Sequence, residues 1–139
     1  MKKFLYASLI AATLTGCSAA PKHGQLSYGA YPPVNVPKQA AQEYLKANLM
    51  DYNSAIITYG GHPSRGYLHS PIFGTQAVGY HYYVSVNAKN AYGAYTGARD
   101  YVFVFRGKEL SALVAPKVTS SGLRQRVIFD HTNGGKRTQ

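Results

Sequence analysis

Cys17 is the only cysteine in this chain, and that limits what the chain can fold into more than any other feature. With no second thiol, no internal disulfide can form, so a folded part must hold together by packing and hydrogen bonds. Tyrosine supplies much of the means. The 139 residues include 13 tyrosines and no tryptophan, so burial relies on rings whose hydroxyls need water or a hydrogen-bond partner.

The position of that cysteine points to an address. Lys2 and Lys3 precede an apolar run at 4–14, and Leu14-Thr15-Gly16 lead into Cys17. The run is too short to span a bilayer, and its charged start, apolar middle and small-residue end follow the pattern of a bacterial lipoprotein signal peptide. A thiol just beyond such a run can be acylated at the membrane surface. Cleavage before Cys17 then frees an amino group for a further chain, and two or more chains hold stably where one does not. Residues 1–16 therefore read as a signal peptide, Cys17 as the lipidation site, and the membrane as a partner through the acyl anchor. Ser18 is not the aspartate associated with inner-membrane retention in enteric lipoproteins, so the expected address is the periplasmic face of the outer membrane.

Charge narrows the partners. The whole chain carries a formal +10; without Lys2 and Lys3, 13 basic side chains face 5 acidic ones, a net of +8. In a Gram-negative envelope such a surface favours phospholipid headgroups, lipopolysaccharide phosphates, peptidoglycan carboxylates and acidic protein faces. Nucleic acid is not expected at an exported location. The basic residues are scattered, with short clusters at Arg124/Arg126 and Lys136/Arg137, a spread that also suits a simple solvated surface.

Along the chain, residues 17–36 mix Ser, Ala, Gly and Pro and read as the lipidated cysteine plus a flexible tether, unless Tyr28 and Tyr31 dock on the domain. Residues 37–131 read as a single α+β domain. Ala40/Tyr44 and Ala41/Leu45/Leu49 recur at helical spacing with Pro37 in the first turn, predicting one helix that ends near Met50. Short strands follow at 55–59 and 67–70, separated by the turn Gly60-Gly61-His62-Pro63. The clearest strand is 77–87, where Val78, Tyr80, Tyr82, Val84 and Val86 alternate with Gly79, His81, Tyr83, Ser85 and Asn87, giving a core face and a polar face. Residues 100–106 look buried on both faces, hence central. Gly107-Lys108 turns the chain into 110–115, which Pro116 should end. Arg124, Arg126, Ile128 and Asp130 alternate against Gln125, Val127 and Phe129 in an edge strand, and 132–139 reads as a disordered basic tail. The expected fold is α+β, one N-terminal helix packed on an antiparallel sheet of four to five strands. The sheet face that the helix leaves open is then the surface of interest.

The most distinctive motif joins the two best strands: Val86-Asn87-Ala88-Lys89-Asn90-Ala91-Tyr92-Gly93-Ala94-Tyr95-Thr96-Gly97. Asn87 and Asn90 offer donors and acceptors, Lys89 and Arg99 offer charge, and Tyr92 and Tyr95 can stack on sugar or peptide groups, a mixture suited to a polar ligand. The same residues also suit a plain loop, with asparagines satisfying backbone and glycines permitting positive φ. This run, with the preceding helix and Leu49-Met50-Asp51-Tyr52-Asn53-Ser54-Ala55, resembles a recurring group of small uncharacterised bacterial exported proteins and lipoproteins. In that group an Asn-Lys-Asn stretch leads into Tyr-Gly-x-Tyr-x-Gly; Asn53 departs from it, standing where relatives often have proline. The resemblance spans roughly 37–116 and implies a coherent domain, not a catalytic role.

Signatures of catalysis are otherwise missing. His62, His69, His81, His23 and His131 have no compact ligand spacing, and no cysteine remains to ligate, so neither metal nor cofactor is expected. The stretch Gly60-Gly61-His62-Pro63-Ser64-Arg65-Gly66 lacks the ending of a phosphate-binding loop. The five carboxylates are dispersed, and His81 with Asp100 is the only acid–base pair worth locating. The leading expectation is a non-enzymatic, lipid-anchored accessory or binding module for an envelope protein or an anionic envelope polymer. The alternative is a periplasmic inhibitor or immunity lipoprotein acting against a lytic or toxic enzyme.

Overall fold

A helix of 13 residues cannot cover a strand of 14, and that mismatch organises the fold. At about 1.5 Å per residue the helix is roughly 20 Å long, while the strand at about 3.3 Å per residue is more than twice that. In the computed structural model, which describes residues 19–132, the helix is α1 (Val36–Asn48). Six strands follow: β1 (Ile56–Tyr59), β2 (Ser64–Ser70), β3 (Gly74–Asn87), β4 (Arg99–Arg106), β5 (Glu109–Thr119) and β6 (Gly122–Asp130). All pairings are antiparallel, in the order β1-β3-β4-β5-β6, with β2 also on β3.

The α+β expectation holds, with six strands in place of four to five. The extra strand has a simple origin. β1 pairs with residues 84–87 of β3 and β2 with residues 74–81, on the edge opposite β4, so the two form one interrupted lane along β3. Gly60 sits at the interruption, where a Cβ would stand 2.6 Å from the Tyr83 carbonyl oxygen.

On the helix side, Ala41 and Leu45 of α1 pack on Tyr82, Val84, Val86, Phe103, Phe105 and Leu113. Tyr44 adds an edge-on contact to the Phe103 ring at 5.7 Å. Burying Leu45 alone contributes about 1.5–3 kcal/mol. The helix stops at Asn48, two residues before Met50, and Asn48 Nδ2 donates to the Tyr44 carbonyl.

α1 leaves the Val78–Tyr80 stretch of that face bare, and the segment read as a flexible tether covers it. From Pro21 onward this segment is laid on the sheet, a correction to the sequence reading. The Tyr67 hydroxyl donates to the Pro21 carbonyl at 2.8 Å, and Tyr28 is buried with Val78 and Tyr80. Tyr31 meets Tyr80 edge-on at 5.0 Å, and the Gly107 N–H donates to the Ala30 carbonyl. Its composition suits extended backbone, and extended backbone studded with tyrosines can line a bare sheet face as well as span a gap. The signal peptide, Cys17 and residues 133–139 lie outside the described residues.

Two further readings are corrected. β5 runs through Pro116 to Thr119, because its pairing with β4 ends at Val114 and a proline without a partner on that side breaks no ladder bond. In β6 the simple alternation fails at a register shift. Phe129 pairs with Leu113 and packs on the helix side, whereas Val127 pairs with Val114 and packs on the other face.

Leu45→Ala is expected to cost about 2–5 kcal/mol in urea unfolding, and Val34→Ala, at an exposed position, less than about 0.5 kcal/mol. Equal costs would contradict the packing described.

Candidate functional site

The motif between β3 and β4 folds into a braced loop. Asn90 Oδ1 accepts the N–H groups of Tyr92 and Ala94 at 3.0 and 3.1 Å, and Asn87 Oδ1 accepts that of Gly97 at 3.1 Å. Lys89 and Tyr95 form a β-bridge, the Lys89 ammonium lies 5.2 Å over the Tyr95 ring, and the Tyr95 hydroxyl donates to the Ser54 carbonyl. Of the six residues singled out by sequence, Asn87, Asn90 and Tyr95 thus hold the loop itself. Tyr92 stands out, 95% exposed. Lys89, Asn90 and Arg99 meet at a cleft of about 330 Å³ against Leu49, Val86 and Tyr101. Burial raises the Tyr101 hydroxyl pKa, and the Arg99 charge opposes that rise. Nearby, hydrogen bonds from Ser54 lower the Asp51 carboxyl, with a further pull from Lys89.

The larger feature is the sheet face opposite α1, which the N-terminal segment meets at its rim through His23 beside Tyr67. Its apolar cluster is Ala77, Val102, Val104, Ala112 and Val114, joined by Leu68 from β2 and Val127 from β6; of these Val102, Val114, Leu68 and Val127 line open space. Strands β3 and β6 have β4 and β5 between them, so in a flat sheet they would lie about 14 Å apart. Here the Ala77 N–H on β3 donates to Asp130 Oδ2 on β6 at 2.7 Å. The sheet is therefore curled over this face, and the hollow is a groove. One part, about 390 Å³, lies among Gly66, Leu68, His81, Tyr83, Val114 and Gln125; a second, about 620 Å³, continues past Gln76 and Val127 to Phe73, Lys117, Arg124 and Arg126. An apolar hollow with a few polar groups is the usual form of a ligand site.

A strained residue holds the curl. Ala77 is the only non-glycine residue with positive φ among the described residues, at 52°, a conformation that costs a residue with a Cβ about 1–2 kcal/mol. Both of its backbone groups are held: Asp130 accepts its N–H, and His81 Nε2 donates to its carbonyl at 2.7 Å. The other carboxylate oxygen of Asp130 accepts from Thr132. The His81 ring also lies against Gly66, where a Cβ would come within 2.6 Å of Nδ1, so only glycine leaves room. Burial lowers the pKa of His81, partly offset by its backbone contacts at Ala77 and Gly66, and the imidazole is held neutral.

The acid–base pair posed by sequence does not form. His81 is level with Val104 and Asp100 with Ser85; these positions share a face but lie four residues apart along the strands, roughly 13 Å. Among the described residues no group of three or more His, Cys, Asp or Glu side chains is placed to hold a metal ion. Sequence reasoning missed Leu68, Gln76 and Gln125 as lining of the hollow and Asp130 as the residue that closes the curl. The available signal was the polar face of β3 beside a β4 buried on both sides, which requires a second enclosed surface.

Residues 1–18 match the model of the prokaryotic membrane lipoprotein lipid attachment site. The chain is a lipid-anchored protein of the cell envelope. No helix among the described residues is long and apolar enough to cross a membrane. No curated protein and no solved structure matches the chain.

Two outcomes test the clamp. Asp130→Ala strips a buried N–H of its acceptor and should cost about 1–3 kcal/mol in urea unfolding; no change would show that the bond does not hold the curl. For His81, the unfolded state takes up a proton at about pH 6.5 while the folded state resists until lower pH, so its stabilising effect is present above that value and lost on acidification below it. The Tm gap between the native protein and His81→Gln should shrink from pH 7 to pH 5. A constant gap would contradict a buried neutral imidazole.

Proposed function

We propose that this lipid-anchored protein is a non-enzymatic binding module that takes another envelope component into the curled groove between β2 and β6. The observation that carries the reading is the hollow itself: Val102 and Val114 line it with Leu68, His81 and Gln125, and it runs on to Val127, while Val104 and Ala112 are packed under the closed part of the curl. A domain this small gains stability by filling such a hollow, so keeping it open beside a strained backbone has a functional explanation. The cations of β5 and β6 along the groove favour an acidic protein segment or an anionic envelope polymer. Ser18 after the acylated position supports residence at the periplasmic face of the outer membrane.

Recovery of partners from solubilised envelopes tests this. Gln125→Trp, at an exposed groove-lining position, should fill the hollow and abolish recovery, while alanine at Lys89, Tyr92 and Tyr95 together should leave it largely intact. Unchanged recovery by a folded Gln125→Trp protein would refute the groove as the binding surface.

The braced loop favours a second reading, an inhibitor or immunity lipoprotein. A pre-organised loop presenting one exposed tyrosine beside two cations loses little entropy on entering an enzyme cleft. Deletion of the gene should then raise sensitivity to lytic enzymes or competing bacteria, and the Tyr92→Ala protein should fail to restore resistance. Unchanged sensitivity in the deletion strain would exclude this reading.

A further inference from the structure

The segment that docks on the sheet leaves little chain between fold and anchor. Pro21 is fixed by the Tyr67 hydroxyl, and only four residue steps separate it from Cys17, at most about 14 Å of extended chain. The bilayer holding an acylated Cys17 must therefore lie close against the β2 edge of the domain. Three residues beyond Tyr67, about 10 Å along the strand, β2 ends at Ser70 and the turn to β3 begins. That turn carries Ile72 and Phe73, 84% and 64% exposed. Apolar side chains on an exposed turn gain nothing from water.

Their surroundings are cationic. Phe73 lines the same hollow as Lys117, Arg124 and Arg126. Four other cations, Lys38, Lys46, Arg65 and Lys89, lie over tyrosine rings, a use not seen for these three. Apolar tips beside lysine and arginine suit the headgroup boundary of an anionic bilayer, where nearby cations add to the attraction. A second copy of this chain is a poor occupant, since it would bring an equally basic surface against the first.

We propose that the β2–β3 turn, with Ile72 and Phe73 at its tip and Lys117, Arg124 and Arg126 around it, docks on the anionic surface of the bilayer that holds Cys17. The lipoprotein then has two attachments, one covalent and one reversible, and the second fixes the orientation of the domain on the membrane. This inference rests on the anchor and the docked segment; it gives the Phe73 end of the groove to the bilayer and leaves the end lined by His81 and Gln125 for a partner.

The test uses the mature acylated protein in vesicles. The Cys17 sulfur is blocked by its thioether, so Phe73→Cys offers a single thiol for an environment-sensitive fluorophore, with Ile72→Cys as a second site and Thr58→Cys as an exposed control. In vesicles containing anionic phospholipid, labels at 72 and 73 should shift to the blue and resist aqueous iodide several-fold better than the control. Adding Arg124→Gln and Arg126→Gln, or switching to purely zwitterionic vesicles, should remove most of that protection. Iodide access at 72 and 73 equal to that at 58 would overturn the proposal. So would protection indifferent to lipid charge and to the arginines.

Discussion

The structure depends on covering a long strand with too little helix. β3 runs for 14 residues, α1 for 13, and a residue of helix spans less than half the length of a residue of strand. With no disulfide to hold an incomplete core, the rest of the helix-side face needs another cover, and the N-terminal segment provides it through Tyr28, Tyr31 and the Pro21 carbonyl. The opposite face has no such cover. There the sheet bends on itself, and the bend is held at one strained alanine between an aspartate and a buried histidine.

This arrangement ties the tyrosine-rich composition to the lipid anchor. Extended tyrosine-bearing chain suits a shallow sheet face because each ring covers area while its hydroxyl reaches a partner at the edge, as Tyr67 reaches Pro21 and Tyr95 reaches Ser54. Burial together with the Tyr52 hydroxyl pushes Tyr59 up to about 12, so that ring remains uncharged beneath the Lys38 ammonium. Using the N-terminal segment as a cover also shortens the reach from the membrane. Stability of the fold and its distance from the bilayer are thus set by the same residues.

Much of this was legible from residue order. Period-3.6 spacing found α1 and period-2 spacing found β3 and β4, because one wall of each is built from local neighbours. The Gly107-Lys108 turn was legible for the same reason, as Arg106 pairs with Glu109 across it. What escaped depends on residues distant in sequence. The docking of Tyr28 needs Val78 and Tyr80, and the passage of β5 through Pro116 needs β4 to have ended. The groove needs Asp130 to meet Ala77, 53 residues away. The loop motif was found with both of its uses open, because the asparagine chemistry that suits a ligand equally suits the loop's own N–H groups, and Gly97, Tyr92 and Ala94 take it up.

The groove exists only if the sheet curls, and hydrogen exchange at the Ala77 amide reports on that curl most directly. That N–H belongs to a residue bent away from an ordinary ladder, with Asp130 as its acceptor. If the sheet closes as described, the Ala77 amide exchanges as slowly as the ladder amides of β3 and β4. Exchange at the rate of an open loop, with those neighbours still protected, would mean that β6 stands away from β3 and that no groove exists.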